Sequence, residues 1–145
     1  MVITLPDGIK EIIAEVRASG DCAMLINVWW PNNDVDIVAV CMNGKKLCCA
    51  TGSKTIVKTS QIGYDAAARF FVMLCEMSVL EMESQAVSLT TLHADTYYHF
   101  SLGGREKELF VKGSFGKDER VQNLTRMFYQ MAPELRKLQR RVGRE

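Results

Sequence analysis

Residues 22–51 read CAMLINVWWPNNDVDIVAVCMNGKKLCCAT, and how this stretch divides into strands decides the architecture. Cys22 to Trp30 is rich in strand formers and stops at the turn cluster PNND, after which Val35 to Met42 and Leu47 to Thr51 continue as second and third strands. The spacing predicts an antiparallel meander. Pairing Trp30 with Val35 puts Met24, Ile26, Val28, Trp30, Ile37, Ala39 and Cys41 on one face, and Leu25, Val38, Val40 and Met42 on the other. Both faces are apolar. A sheet with one wet face alternates apolar with polar, so this one is expected to be covered on both sides, by helices or by a second subunit.

The second turn lies in CMNGKKLCC (41–49), which carries three of the five cysteines. With Asn43-Gly44 as a two-residue type I′ turn, Met42 pairs with Lys45, Cys41 with Lys46 and Val38 with Cys49. Cys41 and Cys48 are then diagonal neighbours roughly 7 Å apart. Cys49 faces the other way, so the three thiols cannot build one tetrahedral zinc site. A four-residue loop, NGKK, instead sets Cys41 opposite Cys48 and admits a disulfide. Asn-Gly favours the shorter loop. No CxxC or paired Cys/His spacing occurs in the chain, so the thiols are expected to be structural, buried and reduced, with no metal or cofactor.

Upstream, Leu5 to Ser19 places apolar residues at Leu5, Ile9, Ile12, Ile13 and Val16, with Thr4 and Asp7 as a capping box and Gly20 closing the helix. Downstream, GSKTIVKTSQIG reads as a polar connection. Tyr64 to Ser84 then reads as a long helix whose polar residues Asp65, Arg69, Glu76 and Glu83 form a narrow stripe on an apolar cylinder, the mark of a central core helix. VSLTTLH, TYYHFSL and KELFVKG read as further strands, the last two joined at Gly103-Gly104. Asp118 caps a final helix in which Val121, Leu124, Phe128, Met131, Leu135, Leu138 and Val142 recur at heptad spacing. Pro133 predicts a kink near Ala132 or a restart with Pro133 in the first turn. The fold class is α+β in one domain over residues 1–145: helix, three-strand meander, long buried helix, two or three strands, C-terminal helix.

With 145 residues, 48% hydrophobic and 24% charged, the chain has the composition of one soluble globular domain. A net charge of +1 gives no global field to steer it toward nucleic acid or anionic membrane. No run approaches the roughly 18 apolar residues of a membrane span. An odd cysteine count without a secretion signal fits a reducing cytoplasm.

Three sets of residues carry functional readings. Trp29, Trp30, Phe128, Met131, Leu135 and Leu138 are candidates for a protein interface, because tryptophan dominates interface hot spots and the heptad offers apolar surface. Lys45 and Lys46, with Arg136, Lys137, Arg140 and Arg141 of the C-terminal run, are candidates for phosphate binding. His99 lies opposite Glu108 if Gly103-Gly104 is the turn, which sets a carboxylate beside an imidazole, though no nucleophile or second histidine completes a catalytic site. The glycine-bearing segments 103–105 and 113–117 match no phosphate-binding fingerprint.

The element order is similar to that of the small dimeric chaperones of type III secretion, and the size and α+β make-up resemble those of bacterial immunity proteins. Those resemblances rest on layout and imply no individual residues. The expected function is a non-enzymatic protein-binding module of the chaperone, inhibitor or adaptor kind, homodimeric, with another protein as partner and no membrane. Nucleic-acid binding through the basic C-terminus and hairpin lysines stands second, and an enzyme using His99 and Glu108 third.

Overall fold

A computed structural model describes residues 7–18, 20–29, 34–83, 96–111 and 119–143. Helix α1 (Asp7–Arg17) leads into β1 (Cys22–Trp29), β2 (Asp34–Cys41), β3 (Lys45–Thr51) and β4 (Thr55–Gln61). Helix α2 (Tyr64–Glu76) and a 3-10 turn (Val79–Glu81) precede the hairpin β5 (Thr96–Leu102) and β6 (Arg105–Val111), and the chain closes with α3 (Glu119–Gln130) and α4 (Leu135–Arg141). The strands form a single antiparallel sheet in the order β4-β3-β2-β1-β5-β6, so the fold is α+β with the meander, helix, hairpin and C-terminal helix in the expected sequence. Thr4, Trp30, Asp118 and the strand expected over VSLTTLH fall outside the described residues.

The meander contains one strand more than expected. Residues 55–61, read as a connection, pair with β3 along their whole length, from Thr51↔Thr55 to Lys45↔Gln61. Two registers also differ. In β1–β2, Val35 faces Val28 rather than Trp30, a slip of two residues that keeps every side chain on its expected face. In β2–β3, Val38 faces Cys48 and Ile37 faces Cys49. The loop therefore has three residues, Met42 to Gly44, and neither expected register holds. An odd slip reverses every side chain of β3.

The two faces of the sheet make separate cores. Toward α2, α3 and α4 lie Leu25, Val38, Val40, Cys48 and Ala50, packed on Phe70, Leu74, Leu124, Phe128, Leu135 and Leu138. Toward α1 lie Cys22, Met24, Ile26, Ile37, Cys41 and Cys49, with Val16 of the helix buried among them. Both faces are covered, as the double apolar pattern requires.

The C-terminal heptad is two helices. Helix α3 ends at Gln130 and α4 begins at Leu135, with Pro133 in the break. Lys46 of β3 reaches into that break, its Nζ donating to the Met131 carbonyl at 2.7 Å and to both Glu134 oxygens at 3.0 Å. A second polar tie joins the sheet to the same helices. The fully buried Asp36 carboxylate accepts from Trp29 Nε1 at 2.6 Å, Gln139 Nε2 at 2.8 Å and the Tyr129 hydroxyl at 3.1 Å.

Candidate functional site

Helix α2 is amphipathic in a way its composition conceals. Ala67, Phe70, Phe71 and Leu74 recur at three- and four-residue spacing and fill the sheet side. The outer side carries apolar residues too: Tyr64 is 72% exposed, Val72 55% and Met73 46%, and the Cys75 thiol is exposed as well. The expectation of a helix buried on most of its surface, running to Ser84, is therefore corrected on both counts. The helix stops at Glu76 because Ser78 takes a left-handed conformation (φ 56°), and only one of its faces is covered.

Two apolar grooves flank this ridge. One, of about 540 Å³, is lined by Met42, Tyr64, Ala68, Phe71, Val72 and Cys75. The other, of about 220 Å³, is lined by Phe70, Met73, Met127 and Met131, with Arg69 and Gln130 at its edge. Four of these lining residues are methionines, whose unbranched, polarizable side chains repack easily against different surfaces. Between the grooves run Asp65, Arg69 and Glu76 in a single polar stripe, Arg69 and Glu76 two turns apart.

The residues proposed from sequence as interface candidates separate. Phe128, Leu135 and Leu138 are buried inside this chain's own core, where Phe128 meets the rings of Phe70 (5.2 Å) and Tyr98 (5.7 Å), so the heptad serves intramolecular packing. Met131 is half-buried and lines the smaller groove. Trp29 is 39% exposed at the mouth of a third cavity, of about 550 Å³, shared with Tyr129, Pro133, Leu135, Arg136 and Gln139. Tyr64, Val72 and Met73 were missed, because a helix apolar all round reads as core when its neighbours are unknown.

The phosphate-binding candidates also separate. Arg136, Lys137, Arg140 and Arg141 are exposed together on α4. Lys46 is buried and paired with Glu134, and Lys45, on the opposite face of the sheet, reaches Glu15 of α1 at 3.3 Å. The hairpin lysines thus do not extend the α4 patch.

His99 faces Glu108 in the β5–β6 register, as expected. However, the carboxylate turns to the Tyr97 hydroxyl (2.7 Å), which also accepts from Arg17 (2.6 Å). Among the described residues the acid paired with the imidazole is Glu106, 3.8 Å from Nε2, and neither buried ring nitrogen finds a hydrogen-bond partner there. Burial, and then the Arg17 guanidinium, lower the His99 pKa below its ordinary value. His93 falls outside the described residues.

The five cysteines form no disulfide, and four of them are buried. Burial, and then the Glu134 carboxylate, push the Cys48 thiol up to about 12. Among the described residues no three Cys, His, Asp or Glu side chains converge as metal ligands, and no helix is long and apolar enough to cross a membrane. No protein-family model matches the chain, and no curated protein matches it either.

Proposed function

We propose that this protein is a non-enzymatic protein-binding module, of the chaperone, inhibitor or adaptor kind, and that it pairs with a second copy of itself through the outer ridge of α2. The observation that carries this reading is the concentration of exposed apolar side chains on one element: Tyr64, Val72 and Met73 are three of the five large hydrophobic residues left exposed among those described. An exposed apolar patch marks a contact surface, and here the charged residues Asp65, Arg69 and Glu76 run through it.

Charge arrangement supports a second copy as the occupant. Arg69 and Glu76 lie on the same stripe, seven residues and roughly 10 Å apart along the axis. Two α2 helices related by a two-fold axis between Val72 and Met73 run antiparallel, and each Arg69 then lies level with the partner's Glu76. Such an interface is isologous and closed, as most homodimers are. A 13-residue helix is about 20 Å long, so the buried area falls at the low end for stable complexes and the affinity is expected to be about micromolar. Five thiols with no disulfide among them fit a reducing cytoplasm as its location.

Light scattering coupled to size exclusion tests this reading across a concentration series. The expected result is a concentration-dependent shift toward twice the chain mass, weakened by Arg69→Glu or Glu76→Arg alone and restored in the double variant. A monomer throughout, or a dimer indifferent to both charge reversals, refutes it.

A further inference from the structure

The corrected registers bring together two cysteines that lie far apart in sequence. In the β1–β2 pairing Cys22 faces Cys41 directly, and both side chains lie on the α1 face of the sheet. The adjacent pair fixes the kind of position they occupy. Met42 N donates to the Asp21 carbonyl at 2.9 Å, so Asp21 and Met42 form a hydrogen-bonded pair. Antiparallel pairs alternate, which makes Cys22 and Cys41 a non-hydrogen-bonded pair, the kind whose Cα atoms approach to about 4.5 Å. A disulfide accepts Cα separations of roughly 4.4–6.8 Å, so the two sulfurs can be joined without moving a strand.

We propose that Cys22 and Cys41 are an oxidation site, which hydrogen peroxide converts into an intramolecular cross-strand disulfide. One thiolate attacks a peroxide oxygen, the O–O bond breaks, and the departing hydroxide takes a proton and leaves as water. The resulting sulfenic acid is then attacked by the second sulfur. The S–O bond breaks, the S–S bond forms, and the hydroxyl leaves as water with the second thiol's proton. The two sulfurs lose two electrons and the peroxide gains them. A thiol-based reductant reverses the step by exchange.

The other thiols are excluded by position. Cys48 lies on the opposite face of the sheet. Cys49 shares the face but pairs with Ile37, four residues along β2 from Cys41, or roughly 13 Å. Cys75 is exposed on α2, away from this face. The charged groups around the pair come from three sides: Arg17 from α1, Lys45 from β3, and Glu106 from β6, with Asp21 in the preceding turn. Burial, and then the neighbouring Cys41 thiol, hold Cys22 up at about 11. Few molecules carry the thiolate at neutral pH, so the reaction is slow there and is best run near about pH 8.5.

The test uses the full chain carrying Cys75→Ser, which removes the exposed thiol that would couple two molecules. After hydrogen peroxide the intact mass is expected to fall by two hydrogen atoms, and after alkylation in denaturant and digestion mass spectrometry is expected to find one cross-linked peptide pair joining Cys22 to Cys41. Reductant should release the pair. Cys22→Ser and Cys41→Ser should each abolish it, and Cys49→Ser should leave it in place. A cross-link through Cys48 or Cys49, sulfinic or sulfonic acid at Cys22 or Cys41 with no cross-link, or four unchanged thiols, overturns the assignment. The dimer proposed for α2 is read separately by light scattering, so either result can fail without the other.

Discussion

Replacing His99 by leucine is expected to stabilise this protein, which is unusual for a buried position. The side chain is almost wholly covered, and among the described residues neither ring nitrogen has a hydrogen-bond partner. A buried polar group left unsatisfied costs about 1–3 kcal/mol, whereas leucine is of similar bulk and leaves nothing unpaired. Imperfect shape returns up to about 1 kcal/mol of that gain. The net expectation is about 0–3 kcal/mol, or up to roughly 10 °C in Tm for a chain of this size. Glu106 does not offset the cost, because it is 69% exposed and 3.8 Å away, where an ion pair contributes little.

The pH dependence follows with a definite sign. The folded protein holds His99 below its ordinary pKa of about 6.5, so on acidification the unfolded chain takes up a proton that the folded chain resists. Stability is then flat above about 6.5 and falls as pH drops toward the folded value. Urea unfolding of both proteins at about pH 7.5 and pH 5.5 checks both parts. The variant should be more stable at the higher pH and lose part of the acid-side decline. A destabilised variant at about pH 7.5, or one with an undiminished decline, would show that the imidazole has a favourable role beneath α1.

Three further outcomes rest on neighbouring features. Lys46→Met removes the donor to Met131 and to the largely buried Glu134, and should cost about 2–4 kcal/mol in urea unfolding, much of it regained in Lys46→Met/Glu134→Leu. Burial pushes the Glu134 carboxyl up, yet Lys46 and the backbone hold it below its ordinary value, so its stabilisation is present above about 4.5 and fades as pH falls, a fading the Lys46 variant should lack. Phe128→Ala opens a cavity among Phe70, Tyr98 and Phe100 and should cost about 3–5 kcal/mol by the same assay. Gly52→Ala sets a Cβ against the Val142 carbonyl, which accepts from Ser53 N at 2.8 Å, and should free the end of α4 for proteolysis at Arg140 and Arg141 at a cost of roughly 1–3 kcal/mol.

Most of the element order was legible because its signals are local. Gly103 and Gly104 both take positive φ (57° and 81°), and Leu102 pairs with Arg105, which is what a Gly-Gly hairpin signal means. The strand β4 was not legible, because an edge strand exposed on both faces has no contrast to display. Thr55, Val57 and Thr59 alternate with Ile56, Lys58 and Ser60, and only the β-branched run hints at it. The end of α2 was hidden for a different reason. Ser78 carries no propensity for the left-handed turn it makes, and tertiary context imposes that turn. The candidate site shared this blindness: whether the second side of an apolar helix meets a neighbour or water is decided by the sheet's width, which no window of residues records.

The β2–β3 hairpin marks where pattern reading stops and local chemistry takes over. Leu47 and Cys49 on one face of β3, and Cys48 and Ala50 on the other, are equally fit for burial, so hydrophobicity cannot choose between the even and the odd register. A two-residue type I′ turn needs positive φ at both central residues, yet in this hairpin only Gly44 has it, at 93°. Asn43 instead uses its side chain, Oδ1 accepting from Lys45 N at 2.9 Å, while Gly44 N closes the turn on the Cys41 carbonyl at 2.9 Å. Strand β4 holds the same loop from the side, through Gln61 Nε2 to the Asn43 carbonyl at 2.8 Å and Ile62 N to the Gly44 carbonyl at 2.8 Å. The odd register is thereby favoured, and it delivers Lys46 to the face where Met131 and Glu134 wait at the α3–α4 break. The alternative would bury that ammonium beneath α1 and leave the break without its donor, a difference of several kcal/mol by the cost of an unpaired buried charge. One asparagine side chain and one lysine thus settle what the four apolar and cysteine positions of β3 left open, and they separate Cys48 from Cys41 while Cys22 remains the thiol that Cys41 faces.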